Sequence, residues 1–231
     1  MYAGVGDRLV IHSVSVDGPV TRGDPAPEVR VAADGLRNDP APRRPLPRGR
    51  AAAAVARCFL VSLGMLVRRD VELPRGNLGR ELRFADGTSA RVYRESTTRR
   101  SVTEPCFLAV TFRLRAVRGW GHRWFRRESL LNTPLFVGFP GFVSKLWLTH
   151  DGQGRYRGLY EWDGFEPAHR YARSLWRVLE LVSEPGTVDY RVFVGLTRDA
   201  ALRDPDLLDT YPSTPALWWH PVIGSPAPQE A

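Results

Sequence analysis

An α+β fold with the element order β-α-β-β-α-β is predicted for this chain of 231 residues, and three observations predict it. CFLAVTFRLR, Cys106 to Arg115, alternates Leu108, Val110, Phe112 and Leu114 against smaller or polar residues, the period of a strand with one face in a core. GFVSKLWLTH, Gly141 to His150, and RYRGLYEWDG, Arg155 to Gly164, are joined by DGQG, Asp151 to Gly154, as a hairpin. FEPAHRYARSLWRVLELVSEPG, Phe165 to Gly186, sets Ala168, Tyr171, Ala172, Leu175, Trp176 and Leu179 on one side of a helix that Pro185-Gly186 stops.

The remaining elements fall into place around these. GWGHRWFRRESLLN, Gly119 to Asn132, carries Trp120, Trp124 and Leu131 at helical spacing with arginines opposite, and a Gly- and Pro-bearing link, Thr133 to Gly141, ends it. TVDYRVFVG, Thr187 to Gly195, is the last alternating strand. In this order they make the ferredoxin-like split motif over residues 101–196, with both helices on one face of an antiparallel sheet.

Both flanks are additions to that motif. Residues 1–57, with DPAPEVR and NDPAPRRPLPRGR and few large apolar side chains, do not repay the entropy of ordering and read as a disordered arm. Removing them is expected to leave the fold intact. Residues 58–100 form an N-terminal extension in which Asp86-Gly87 separates two alternating runs, predicting a β-hairpin over 81–85 and 89–94. Residues 197–231 are a C-terminal tail with a short helix in RDAALRDPDLLD. Its Trp218 and Trp219 are expected to pack on their own domain or a dimer mate, because an exposed Trp pair is costly.

Composition excludes several functions. The net charge of +8 comes from arginines scattered among acids over the whole chain, a solvated surface rather than the clustered footprint of a nucleic-acid binder. AAAAVARCFLVSLGMLV, Ala51 to Val67, is the one apolar run, but Arg57 interrupts it and a span needs about 20 apolar residues. It reads as a buried strand or short helix, and no membrane partner is expected. Two cysteines, Cys58 and Cys106, without a second Cys or a nearby His cluster, point to a reduced cytoplasmic protein and to no metal. Gly-rich phosphate loops and nucleophile elbows are absent from the sequence, so no cofactor is expected.

PGFVSKLWLTH, RYRGLYEWDGFEPAHRYARSLW and SEPGTVDYRVF together resemble the YdhR-like monooxygenase family of the dimeric α/β-barrel superfamily. The resemblance spans about residues 106–195 and rests on GF-x-x-K-x-W, G-x-Y-x-W and a helix with an aromatic pair. It implies a homodimer whose sheets pack face to face, with a pocket between each sheet and its helices or the sheet of its mate. It also implies, from some relatives, oxygenation of aromatic substrates without metal or flavin.

Lys145 is the only lysine among 33 Lys plus Arg, and it stands inside an apolar strand. With DGQG as the turn, Lys145 lies opposite Tyr160, Val143 opposite Trp162 and Trp147 opposite Gly158, all on one sheet face. The other face holds Ser144, Leu146, Leu148, Leu159 and Glu161, and would carry the helices, leaving the Trp- and Tyr-rich face for the dimer. Lys145, Tyr160 and His122 are the candidate catalytic residues. Trp147, Trp162 and Trp124 are the candidate substrate-binding residues, with the lysine beside the oxygen of a stacked aromatic ligand. His169 reads as a boundary residue of its helix. The competing structural reading pairs Lys145 with Glu161 or a C-terminal carboxylate and leaves the aromatics as core. Two functions follow: a cofactor-independent monooxygenase-like enzyme for a small aromatic or polyketide-like substrate, or a non-enzymatic dimeric protein that binds a hydrophobic ligand or serves as an accessory.

Overall fold

The computed structural model describes residues 45–115, 136–212 and 216–222. Along the chain these form α1 (Arg48–Val67), β1 (Val71–Glu72), β2 (Glu81–Phe84), β3 (Ser89–Thr98), β4 (Pro105–Arg113), β5 (Phe142–Leu148) and β6 (Arg155–Asp163). Then come α2 (Phe165–Val182), β7 (Asp189–Val194), α3 (Arg198–Arg203), a single 3₁₀ segment (Pro205–Thr210) and β8 (Pro221–Val222). The helix expected over 119–132 lies outside the described residues.

A curled antiparallel sheet runs β7-β4-β6-β5-β3-β2-β8. Its first four strands have the order of the ferredoxin-like split motif. The rest is an extension built on the outer edge of β5. β3 pairs with β5 along one side, and along its other side pairs with β2 near its start and β1 near its end. The Asp86-Gly87 turn closes β2 on β3: Gly87 adopts φ +80, and the Asp86 carboxylate accepts from the Thr88 amide at 3.0 Å and the Thr88 hydroxyl at 2.6 Å. β8, from the tail, pairs with β2.

The two faces of the sheet have different covers. One carries Leu108, Val110, Trp147, Tyr160, Trp162 and Tyr190, and packs beneath α2 through Ala168, Tyr171 and Ala172. The other carries Phe107, Ala109, Leu146, Leu148, Leu159 and Phe193, and is closed by the tail through Leu202, Leu208, Tyr211, Trp218 and Trp219. The facing expected from sequence is thus reversed: the Trp- and Tyr-rich face lies under the helix. Trp218 and Trp219 are both buried on their own domain, each worth about 1.5–3 kcal/mol of apolar burial. Glu161, on the tail side, has the opposite charge of Arg198 near it, which partly offsets the upward push of burial on its carboxyl.

The register of β5 on β6 differs from the expected one at a single place. Lys145 faces Tyr160 and Trp147 faces Gly158, but Trp162 pairs with Phe142, and Val143 is the extra residue of a β-bulge. The Thr98 hydroxyl, on the neighbouring strand, lies 3.1 Å from the Phe142 carbonyl and 3.2 Å from that of Val143, so the irregular backbone has a donor.

Two further expectations are corrected. The arginines are not all solvated surface, since Arg94, Arg157, Arg191 and Arg198 are buried. The boundary at residue 57 falls inside α1, whose Ala-rich sequence favours a helix and whose Ala51, Cys58, Ser62 and Met65 find cover. A deletion of 1–57 therefore cuts a packed helix. Ahead of it, the Leu46 amide donates to the Arg173 carbonyl at 3.2 Å, and Arg177 Nε donates to the Leu46 carbonyl at 2.8 Å. By length and composition α1 could cross a bilayer. In this fold one side packs on the domain, while Leu60 and Val67 on the other side are 70% and 85% exposed.

Gly138 sets how closely α1 approaches. Its amide donates to Ser62 Oγ at 2.8 Å, and a Cβ there would meet the Cys58 carbonyl oxygen and stand 2.8 Å from the Ser62 nitrogen. Helix backbone does not yield as a side-chain tip would. Gly138→Ala is expected to destabilise the protein by about 1–3 kcal/mol in urea unfolding. An unchanged midpoint would show that α1 is not held against this turn.

Candidate active site

Between α2 and the sheet is a cavity of about 550 Å³. Its wall includes Phe136, Lys145, Trp147, Gly158, Tyr160 and Tyr171, so the lysine that stands out in the sequence faces a mostly apolar, partly open space. Strand alternation places it there: Lys145 and Trp147 on β5 and Gly158 and Tyr160 on β6 point to the helix side.

Lys145 is 6% exposed. Its Nζ lies 3.1 Å from the Trp147 ring centroid, 4.6 Å from that of Tyr160 and 4.7 Å from that of Phe136. Among the described residues no carboxylate acts on it; Glu161, one residue along β6 from Tyr160, projects to the opposite face. The structural ion pair with Glu161 is therefore not made. Burial drives the ammonium well below its ordinary value of 10.5, and the charge of Arg94 acts in the same direction. Burial thus makes this ammonium a stronger acid than that of an exposed lysine.

A pair of phenols stands beside it. The Tyr171 hydroxyl donates to the Tyr160 hydroxyl at 3.1 Å, and burial raises both groups, holding them protonated. Gly158 makes room for this arrangement. A Cβ at Gly158 would stand 2.7 Å from Tyr160 Cε2, so the ring lies across the glycine. Tyr171 reaches the pair from the inner stripe of α2.

Of the expected site residues, Lys145, Tyr160 and Trp147 are brought together on the cavity wall. Trp162 shares their face but packs behind it, 5.5 Å from Phe142 and 4.8 Å from Tyr171 between ring centroids. His122 and Trp124 lie outside the described residues. His169 is buried, stacked on Phe165 at 5.2 Å, and is no boundary residue. Sequence reasoning missed Tyr171 as a site residue, although its place in the helical stripe was evident. It also missed Phe136, which sits in the Gly- and Pro-bearing link and belongs to no periodic run.

The fold and site define an α+β protein with a ferredoxin-like sheet and an aromatic-lined cavity with the Lys145 amine on its wall. No family model and no curated protein sequence matches the chain. Among solved structures it is similar to an uncharacterized ferredoxin-fold protein from Listeria monocytogenes 4b F2365, described as related to antibiotic biosynthesis monooxygenases. The identity is 14% and the TM-score 0.35, over 48% of this chain and 66% of that one.

Linkage gives the site a stability signature. The unfolded chain carries Lys145 with its ordinary value of 10.5, and the folded value lies below it. Between the two, the unfolded state binds more protons, so this residue's cost to stability is full at low pH and disappears as pH rises toward 10.5. Lys145→Met is expected to leave stability at pH 7 unchanged within about 1 kcal/mol, or to raise it. The advantage of the Met variant should shrink as pH rises. A Met variant less stable at every pH would reveal a partner that holds the ammonium.

Proposed function

We propose that the cavity binds a small planar aromatic or polyketide-like molecule and that Lys145 carries a cofactor-independent, monooxygenase-like reaction on it. The observation that supports this reading is the amine set among aromatic rings with no carboxylate partner among the described residues, and the Tyr160–Tyr171 pair alongside. The YdhR-like motifs, GF-x-x-K-x-W and G-x-Y-x-W, agree with it, since they supply Lys145, Trp147, Gly158, Tyr160 and Trp162.

The chemistry runs in two stages. As a neutral amine, Lys145 accepts a proton from an acidic O–H or C–H of the ligand, and the ammonium so formed stays beside the enolate or phenolate it has created. Trp147 supplies a face for stacking, and Tyr160 a phenol O–H for the ligand oxygen. The electron-rich carbanion transfers an electron to dioxygen. Recombination forms a C–O bond, and loss of water from the peroxide turns a CH₂ group into a carbonyl. One dioxygen is consumed per molecule, with one oxygen atom in product and one in water.

The alternative is a binding protein that uses the same cavity without turnover. Anthrone separates the two, because its CH₂ group is acidic and its oxidation is read directly by oxygen uptake. Turnover by the full chain that falls about 100-fold or more in Lys145→Met supports the enzyme. Binding without oxygen uptake supports the binding protein. For a phenolic ligand such as naphthol, both Lys145→Met and Lys145→Arg should weaken binding, the former by about tenfold or more. Unchanged affinity in both variants would remove Lys145 from the site.

A homodimer belongs to this proposal with a changed surface. Both sheet faces are covered within one chain, so a second copy would meet the outer side of α1. Sedimentation at micromolar concentration reads the state; a monomer removes the dimer and leaves the cavity reading in place. Cys58 and Cys106 are buried as thiols rather than joined in a disulfide, which fits a reducing cytoplasm.

A further inference from the structure

We infer that Lys145 is also a carbonyl-trapping nucleophile, whose ε-amine condenses with an apolar aldehyde or ketone entering the cavity to form an imine. The inference rests on reading the cavity as a ligand site, but not on oxygenation. Three features carry it. The amine lies at the wall of a mostly apolar cavity and is held among the rings of Trp147, Tyr160 and Phe136. Among the described residues no carboxylate pairs with it, so its neighbours are ring faces rather than a counter-ion. The Tyr160 phenol stands on the same wall and, because it accepts from Tyr171, keeps its own O–H for a carbonyl oxygen.

The step is a condensation without oxidation or reduction. The amine lone pair attacks the carbonyl carbon, the carbonyl electron pair moves to oxygen, and a proton passes from nitrogen to oxygen to give the carbinolamine. The nitrogen lone pair then expels the hydroxyl group, which leaves as water with a proton supplied by a phenol, and the phenol recovers that proton from the iminium nitrogen. Amine and carbonyl become imine and one water. A desolvated lysine in an apolar pocket is the form of amine suited to this, and the same pocket shields the imine from hydrolysis. Ligands of matching chemistry are aromatic or conjugated aldehydes and ketones that lack a carboxylate.

The sequence makes the test unusually clean, because Lys145 is the only lysine in the 231 residues, and in a protein prepared as this sequence the α-amine, at Met1, is the other primary amine. The full-length protein is incubated at pH 7 with cinnamaldehyde, reduced with sodium borohydride, and read by intact mass and peptide mapping. We expect one reduced adduct on Lys145, formed at least about tenfold faster than on Nα-acetyl-lysine amide under the same conditions. Lys145→Met and Lys145→Arg should both lose that adduct while labelling at Met1 persists, and naphthol should compete with labelling of the wild type. Reaction at Met1 alone, or at Lys145 no faster than at the free amide, overturns the inference. Naphthol binding, followed separately by tryptophan fluorescence, distinguishes the failures. Binding without labelling sinks imine formation and spares the ligand site, whereas neither binding nor labelling sinks both.

Discussion

Arg157 is the interaction on which the closure of the tail-side face depends. Its guanidinium is buried and spends its fork on three separate parts of the chain. Nη1 donates to Asp151 at 2.8 Å, Nη2 to Asp86 at 3.1 Å and to Thr88 at 2.7 Å, and Nε to the Trp218 carbonyl at 2.9 Å. The β5–β6 turn, the β2–β3 turn and the tail are thus tied to one residue of β6. The ring of Phe84 lies 4.3 Å from the guanidinium carbon, so the planar group is stacked as well as bonded. Burying such a charge costs several kcal/mol, about what well-placed carboxylates and hydrogen bonds can offset. With Asp151 and Asp86 already in place, losing the arginine would strand two carboxylates at once.

That clamp decides where a ligand can go. Once Trp218, Trp219 and α3 lie on the tail side, that face is filled by the chain itself, and the open volume is on the helix side. β6 therefore carries two kinds of polar side chain with opposite fates. Arg157 points one way into a set of partners that satisfies it. Tyr160 points the other way, toward an amine on the paired strand that has aromatic ring faces beside it but, among the described residues, no carboxylate. A buried cation with full compensation is structural, and one without it favours its neutral form and is available for chemistry.

Much of this was legible in the sequence, and the exceptions have physical causes. Alternation placed β4, β5, β6 and β7, the Asp-Gly and Asp-Gly-Gln-Gly turns placed two hairpins, and counting from the turn paired Lys145 with Tyr160. A side chain's partner across a hairpin depends only on local register. Which face meets the helix depends on what the rest of the chain brings, and here the tail, with no strong periodicity, took the Leu-rich face. Val143 shifted because a bulge costs one residue in a ladder that otherwise reads as regular. Arg157, Arg198 and Arg94 were hidden among 32 arginines of similar context, since nothing in a residue's type distinguishes a clamp from a solvated charge. Lys145 stood out because it broke that uniformity.

The shape of the cavity returns to the smallest residue on its wall. A strand position buried on a helix-facing side is normally filled by a branched or aromatic side chain, and Trp147 opposite Gly158 would then face a second bulky group. With glycine there, the Tyr160 ring folds back along its own strand over the vacant position. This turns its hydroxyl toward Tyr171 instead of straight up from the sheet. Any Cβ at Gly158 would push the ring outward into the cavity, and would part the two phenols. The phenol pair and the room beside Lys145 are therefore one feature of the sequence, a glycine two residues before a tyrosine, and they would be lost together.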